Sequence, residues 1–178
     1  MKSQMYFRVL VVIVCLAMLT CGCAGLGSQD GQDSQNLGRA QINLRFRIRV
    51  PSCIPPNVNP KPSKVTRNDN PETGYQSVSI EYQYLVRPQN VPGNFGPAVA
   101  IMEQQNKDGE SVIFMTGKHE YLDGVEASVV TGPMSPAIEW IQDRTSFQIV
   151  TPLTWVDALG IYHSMVTGAA NCDQPKRS

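Results

Sequence analysis

The chain has 178 residues, with 15 basic and 15 acidic side chains and a formal net charge of zero at pH 7. Apolar residues make up 42% and charged residues 17%, a balance that suits a folded domain and argues against a disordered chain or a bulk nucleic-acid binder. Composition leaves the remaining function classes open.

The chain opens with Lys2 and Arg8 as a basic region, followed by an uninterrupted apolar run from Val9 to Leu19. That run is well short of the roughly 20 residues needed to span a bilayer, so a cleavable export signal over residues 1–23 is the expectation. Its end, "LTCGCAG", looks like the lipobox of bacterial lipoproteins, in which a cysteine after a small residue is lipidated and becomes the new N-terminus. Cys23, after Gly22, is the lipidation candidate, although Thr20 stands where that motif usually has Leu. Plain cleavage after Ala24 is the alternative. With a lipid on Cys23, the membrane is a partner. Ala24 in place of Asp then points to the outer membrane, and otherwise to the periplasm or cell surface. Residues 24–38, rich in Gly, Ser, Gln, Asn and Asp, read as a flexible polar linker.

Residues 39–178 have the length of one domain. They open on "AQINLRFRIRVPSC", where Ile42, Leu44, Phe46, Ile48 and Val50 alternate with Asn43, Arg45, Arg47 and Arg49. As a β-strand this places five apolar side chains on one face and three guanidinium groups on the other. From Pro51 to Gly74 six prolines and few apolar residues predict a long polyproline-like connection.

Short apolar or β-branched runs follow at 77–86, 98–103, 111–116, 125–131, 137–141, 146–151 and 161–167. "NKDGE", "LDGV", "TGPMSP" and "DALG" carry turn residues between them. No stretch of twelve residues shows a sustained helical period with caps. The expectation is all-β: an immunoglobulin-like antiparallel β-sandwich of about seven to eight short strands.

Cys15 and Cys21 fall in the signal and Cys23 at its cut, which leaves Cys53 and Cys172 for the domain. Two cysteines in an oxidising compartment allow one intramolecular disulfide, with two unpaired thiols as the alternative.

Catalytic chemistry is sparse. His119, Glu120 and Asp123 in "KHEYLDG" lack the second histidine of the helical zinc motif and read as a solvated hairpin end, so no metal and no cofactor are expected. His163 reads as an exposed polar residue of the last strand. Glu139, Asp143 and Asp157 have no spacing that pairs them as acid and base. No nucleophile elbow, phosphate loop or Cys–His pair is visible. Trp140 and Trp155 read as core or rim aromatics. A non-enzyme is expected.

Both ends of the domain resemble the chaperone–usher fimbrial subunits. "INLRFRIRVPSC" is similar to their first strand, which leads into a cysteine. "SFQIVTPLTWVDALGIYHSMVT", with Pro152, Gly160 and Tyr162, is similar to their closing strand pair. The resemblance implies fimbrial subunits, a chaperone or an usher as partners. It also makes Ile42, Leu44, Phe46, Ile48 and Val50 candidates for strand complementation of a neighbour. The position of Cys172 after the last strand departs from that family, whose cysteines join the first two strands, and so does a lipid at Cys23. Cys53 favours the other use of residues 42–50, as the domain's own first strand. The three arginines then form a solvated face that guards an edge, or a small patch for anionic lipid or polysaccharide.

The functional expectation is an exported, lipid-anchored structural or adhesive module of the cell envelope. A lipoprotein that binds a small ligand or envelope partner is the alternative.

Overall fold

A computed structural model describes residues 37–89, 96–106, 117–132 and 135–175. The signal, Cys23, residues 24–36 of the expected linker and the apolar run at 111–116 lie outside the described residues. The first element is a short helix, α1 (Leu37–Gln41), which overlaps the end of that linker.

Seven strands follow: β1 (Lys64–Asn70), β2 (Tyr75–Tyr82), β3 (Val99–Gln105), β4 (Lys118–Leu122), β5 (Val125–Val130), β6 (Ala137–Gln142) and β7 (Thr145–Val150). They form one antiparallel sheet in the order β1-β2-β3-β7-β6-β5-β4. The all-β class therefore stands, but the strands make one sheet rather than two facing ones. The layer a sandwich would take from a second sheet is supplied here by a helix, α2 (Trp155–Thr167), and by the segment 42–53.

Strand β1 corrects the expected connection from Pro51 to Gly74. The six prolines of that stretch all lie outside residues 63–70, so nothing removes a ladder donor there. All seven residues of β1 pair with β2, from Lys64↔Glu81 to Asn70↔Tyr75. The Asn70 side chain then accepts the amides of Glu72 (3.0 Å) and Thr73 (3.1 Å) and closes the turn.

Helix α2 corrects the expected closing strand at 161–167. Thr154 caps it: its hydroxyl accepts the Asp157 amide at 3.2 Å, and the Asp157 carboxylate accepts the Thr154 amide at 3.3 Å. This reciprocal pair satisfies amides that a helix start leaves without partners. Gly168, at φ 75°, ends the helix by donating its amide to Ser164 O at 3.0 Å. The "DALG" expected as a turn is the first part of this helix. A Cβ at Gly160 would stand 3.0 Å from the Cys172 carbonyl oxygen, a close approach that glycine leaves room for. Pro152, Gly160 and Tyr162 thus do not form the hairpin on which the fimbrial resemblance drew.

Tyr162 lies in the core, edge-on to Trp140 with centroids 4.9 Å apart, and donates its hydroxyl to Leu122 O at 2.8 Å. Trp140 in turn stacks on Phe147 at 5.1 Å. The register builds two core rows on this face of the sheet. One runs Val65, Ile80, Ile101, Ile149, Ile138, Val129, all apolar and buried. The next runs Val78, Glu103, Phe147, Trp140, Ala127, and is apolar except at Glu103. A carboxyl with no exposed surface in that row needs a reason.

Candidate functional site

The reason is the segment 42–53, which we call the strap. The expected strand at 42–50 joins no ladder, and this is a correction: residues 42 and 43 form a turn, with Asn43 at φ 61°, and 45 and 46 a bend, before the chain runs on through 47–50. It crosses the core face of the sheet instead of lining up beside an edge, so no neighbouring backbone runs parallel to accept its amides. Side chains do so. The amide of Arg45 donates to Gln76 Oε1 (3.1 Å) and that of Ile48 to Gln41 Oε1 (2.7 Å). The amide of Arg49 donates to both carboxyl oxygens of Glu103, at 3.0 and 3.1 Å. Glu103 is thus the inward anchor of the strap. Burial pushes its carboxyl up to about 8, against the pull of the Arg49 amide and guanidinium in the other direction.

The five alternating apolar residues divide accordingly. Phe46 is buried in the core, Leu44 and Ile48 pack against it in part, and Ile42 and Val50 are exposed. The residues considered for donation to a neighbour therefore hold the strap to its own sheet, through three of the five. Beyond Val50 the strap is tied to the far end of the chain. Ser52 donates its hydroxyl to Ala169 O (2.5 Å) and Ser164 O (3.2 Å), and Cys53 forms a disulfide with Cys172, Cα atoms 5.4 Å apart. That pairing matches the expectation.

Between the strap, the β6–β7 hairpin and the C-terminal end of α2 lies a cleft of about 630 Å³. This is within the size range of small-molecule sites. Its strap wall carries Arg45, Arg47, Arg49, Val50 and Ser52, and its floor includes Phe147 and Met165. Arg45 donates to Gly74 O at 2.7 Å. Arg49 lies over the Phe147 ring, 5.4 Å from its centroid, and pairs with Asp143 at the tip of the hairpin. Arg47 is exposed and makes no hydrogen bond or ion pair with another described residue. Gln142 completes the hairpin wall. Its buried carboxamide oxygen has no hydrogen-bond partner among the described residues.

The hairpin turn is unusual. Asp143 (φ 51°) and Arg144 (φ 62°) both hold left-handed backbone, which such a two-residue turn requires, yet neither is glycine. Asp tolerates that conformation better than most residues and Arg does not. Non-glycine residues in such strained positions cluster at functional sites. The β4–β5 turn solves the same problem conventionally with Asp123 (φ 52°) and Gly124 (φ 79°).

The remaining candidates lie elsewhere. His119 bonds Glu126 at 3.0 Å, Glu120 pairs with Lys118 at 3.0 Å, and Asp123 meets His163 of α2 at 2.8 Å. His119, Glu120 and Asp123 are therefore not one cluster. No group of three His, Cys, Asp or Glu residues comes together among the described residues. His163 is on the helix, partnered rather than on an exposed strand face. Glu139 is buried on the opposite side of the sheet with the Ser146 hydroxyl at 3.4 Å, and Asp157 is spent on the helix cap. Trp140 is fully buried and Trp155 packs at the core margin.

No family model, no curated protein and no solved structure matches this chain. The site must therefore be read from its own residues.

Two functional features escaped the sequence reading. The role of Glu103 could not be found, because a Glu in a strand reads as an outward residue until its cross-strand partners are known. A signal did exist for the strap: residues 37–67 hold seven basic residues and no acidic one, although the whole chain is neutral. A basic strap lies over a sheet whose cleft rim offers Asp143 and whose core offers Glu103.

Proposed function

We propose that the protein is an exported, lipid-tethered binding module of the cell envelope, and that its ligand enters the cleft between the strap and the β6–β7 hairpin. The observation that carries this reading is the cleft itself. It is open, it places arginines beside Phe147 and Met165, and its strap wall is held by long-range ties through Glu103 and Cys53. Such a wall preorganises a site and lowers the ordering cost of binding. Donation of residues 42–50 to a neighbour gains no support, because Leu44, Phe46 and Ile48 make their contacts within the chain. The tether rests on the "CGCAG" at the signal end and on Cys23.

Two variants test the two halves. Cys23→Ser should move the protein from the membrane fraction to the soluble one. Identical fractionation with the wild type removes the tether. Val50→Trp fills the cleft from an exposed strap position and should leave the melting temperature within a few degrees of wild type. Both proteins are then titrated with lipid, polysaccharide and peptide fractions of the envelope. A fraction that binds wild type and not Val50→Trp supports the reading. Equal binding by both proteins, or none, overturns it.

A further inference from the structure

We infer that the cleft takes a hydroxylated carboxylate, the chemistry of an acidic sugar residue, and that Asp143 occupies the ligand's carboxylate position until the ligand arrives. The inference rests on the cleft being the binding site, and it names what the cleft recognises.

Arg49 already shows which group it accepts. Its guanidinium, fixed from below by the Phe147 ring, holds a carboxylate from the same chain. The two partners differ in how firmly they are held. The Arg49 side chain is 28% exposed, whereas that of Asp143 is 76% exposed. Asp143 buries little that would be lost on release, so another carboxylate can exchange with it at little cost beyond the ion pair. Arg47 stands two residues along the strap on the same side, lines the same cleft and lacks a partner among the described residues. Asp143 pairs with Arg49 alone, whereas a ligand carboxylate in the cleft has both Arg47 and Arg49 in the wall beside it. Paired guanidinium donors suit the planar carboxylate geometry.

The hydroxyl requirement comes from Gln142. Its carboxamide oxygen is buried in the hairpin wall beside the Asp143 position and has no donor among the described residues. An acceptor withdrawn from water is left at a cost unless something donates to it. A hydroxyl beside a carboxylate supplies that donor, whereas a simple carboxylate does not.

The test titrates the mature chain with three probes: D-glucuronate, D-glucose and acetate. Glucuronate should bind at least tenfold more tightly than either, because glucose lacks the charge and acetate lacks the hydroxyls. Arg47→Gln should weaken glucuronate about tenfold, the size of one charge-assisted hydrogen bond. Gln142→Leu should bring glucuronate down to the level of acetate. Asp143→Asn is the decisive variant, because it removes the resident carboxylate while keeping a residue that tolerates the turn. It should strengthen glucuronate binding several-fold. Unchanged or weaker binding in Asp143→Asn, or glucose binding as tightly as glucuronate, overturns the inference. Failure to bind glucuronate also overturns it. The cleft reading survives that failure if an envelope fraction still distinguishes wild type from Val50→Trp, and falls with it if none does.

Discussion

Strand β2 and the strap carry the same alternation of apolar and polar residues, and they reach opposite solutions for their backbones. Strand β2 is flanked by β1 and β3 and pairs with both along its length. The strap runs across strands, so the amides of Arg45, Ile48 and Arg49 meet side chains: Gln76, Gln41 and Glu103. A ladder is uniform and tolerant, since each bond is backbone to backbone and any residue can serve. A strap held by side chains depends on particular residues, and each can be removed singly. This makes β2 a scaffold and the strap a wall of the cleft whose ties can be removed one at a time.

The contrast is most sharply broken at the disulfide. A link between residues 119 apart restricts the unfolded chain by about 4 to 5 kcal/mol in the loop-entropy model. Replacing Cys53 and Cys172 together with Ser should lower stability by up to that amount in denaturant unfolding. The strap should also show faster amide exchange than β2. Equal protection of the two regions in the double variant would mean that the strap is as self-sufficient as a ladder strand.

Within the strap, Phe46 and Ile42 share the alternating pattern but not the burial. Phe46→Ala should cost about 3 to 5 kcal/mol, and Ile42→Ala no more than about 0.5 kcal/mol. Similar losses at the two positions would show that the alternation is used as a full strand face after all.

Glu103 gives the comparison a pH dependence. Its carboxyl titrates at about 8 in the folded chain against 4.5 ordinarily, because burial disfavours the anion. The folded state therefore keeps a proton that the unfolded state has already released. Stability from this group is complete below about pH 4.5 and is lost as pH rises towards about 8, at up to about 1.4 kcal/mol per pH unit. Glu103→Gln keeps an acceptor for the Arg49 amide without the titration. Denaturation midpoints at pH 5 and pH 8.5 should converge in the variant and differ in wild type. Parallel profiles would remove Glu103 as the titrating anchor.

A small effect, well below that of Phe46→Ala, lies at the helix cap. Thr154→Ala should cost about 1 kcal/mol in thermal unfolding. It should leave the strap's amide exchange unchanged, since the cap is far from its anchors in the hydrogen-bond pattern. An altered exchange pattern in the strap would show that α2 and the strap are coupled more tightly than their contacts suggest.

Much of the sheet was legible beforehand. The runs at 77–86, 98–103, 125–131, 137–141 and 146–151 correspond to β2, β3, β5, β6 and β7, because an apolar alternation with turn residues at both ends has few other uses. Asp123–Gly124 marked a tight hairpin for the same local reason. Helix α2 was less visible, since Gly160 read as punctuation and 161–167 as alternation. The Thr154-x-x-Asp157 capping box was the local signal that outweighs both. Of the candidate site, the arginines were legible as a charged face but not as the wall of a cleft.

By itself the sequence determined five of the seven strands among the described residues, β2, β3, β5, β6 and β7, and the one disulfide that Cys53 and Cys172 can form. Those properties follow from local periodicity and from counting. Only the tertiary structure decided that the strap crosses the sheet, that Glu103 faces inward to hold it, and that Asp143 meets Arg49 from a residue 94 positions away. The physical reason is that alternation specifies which side chains share a face but not what lies opposite it. An extended segment beside an edge becomes a strand, and the same segment laid over a face must find its hydrogen bonds among side chains.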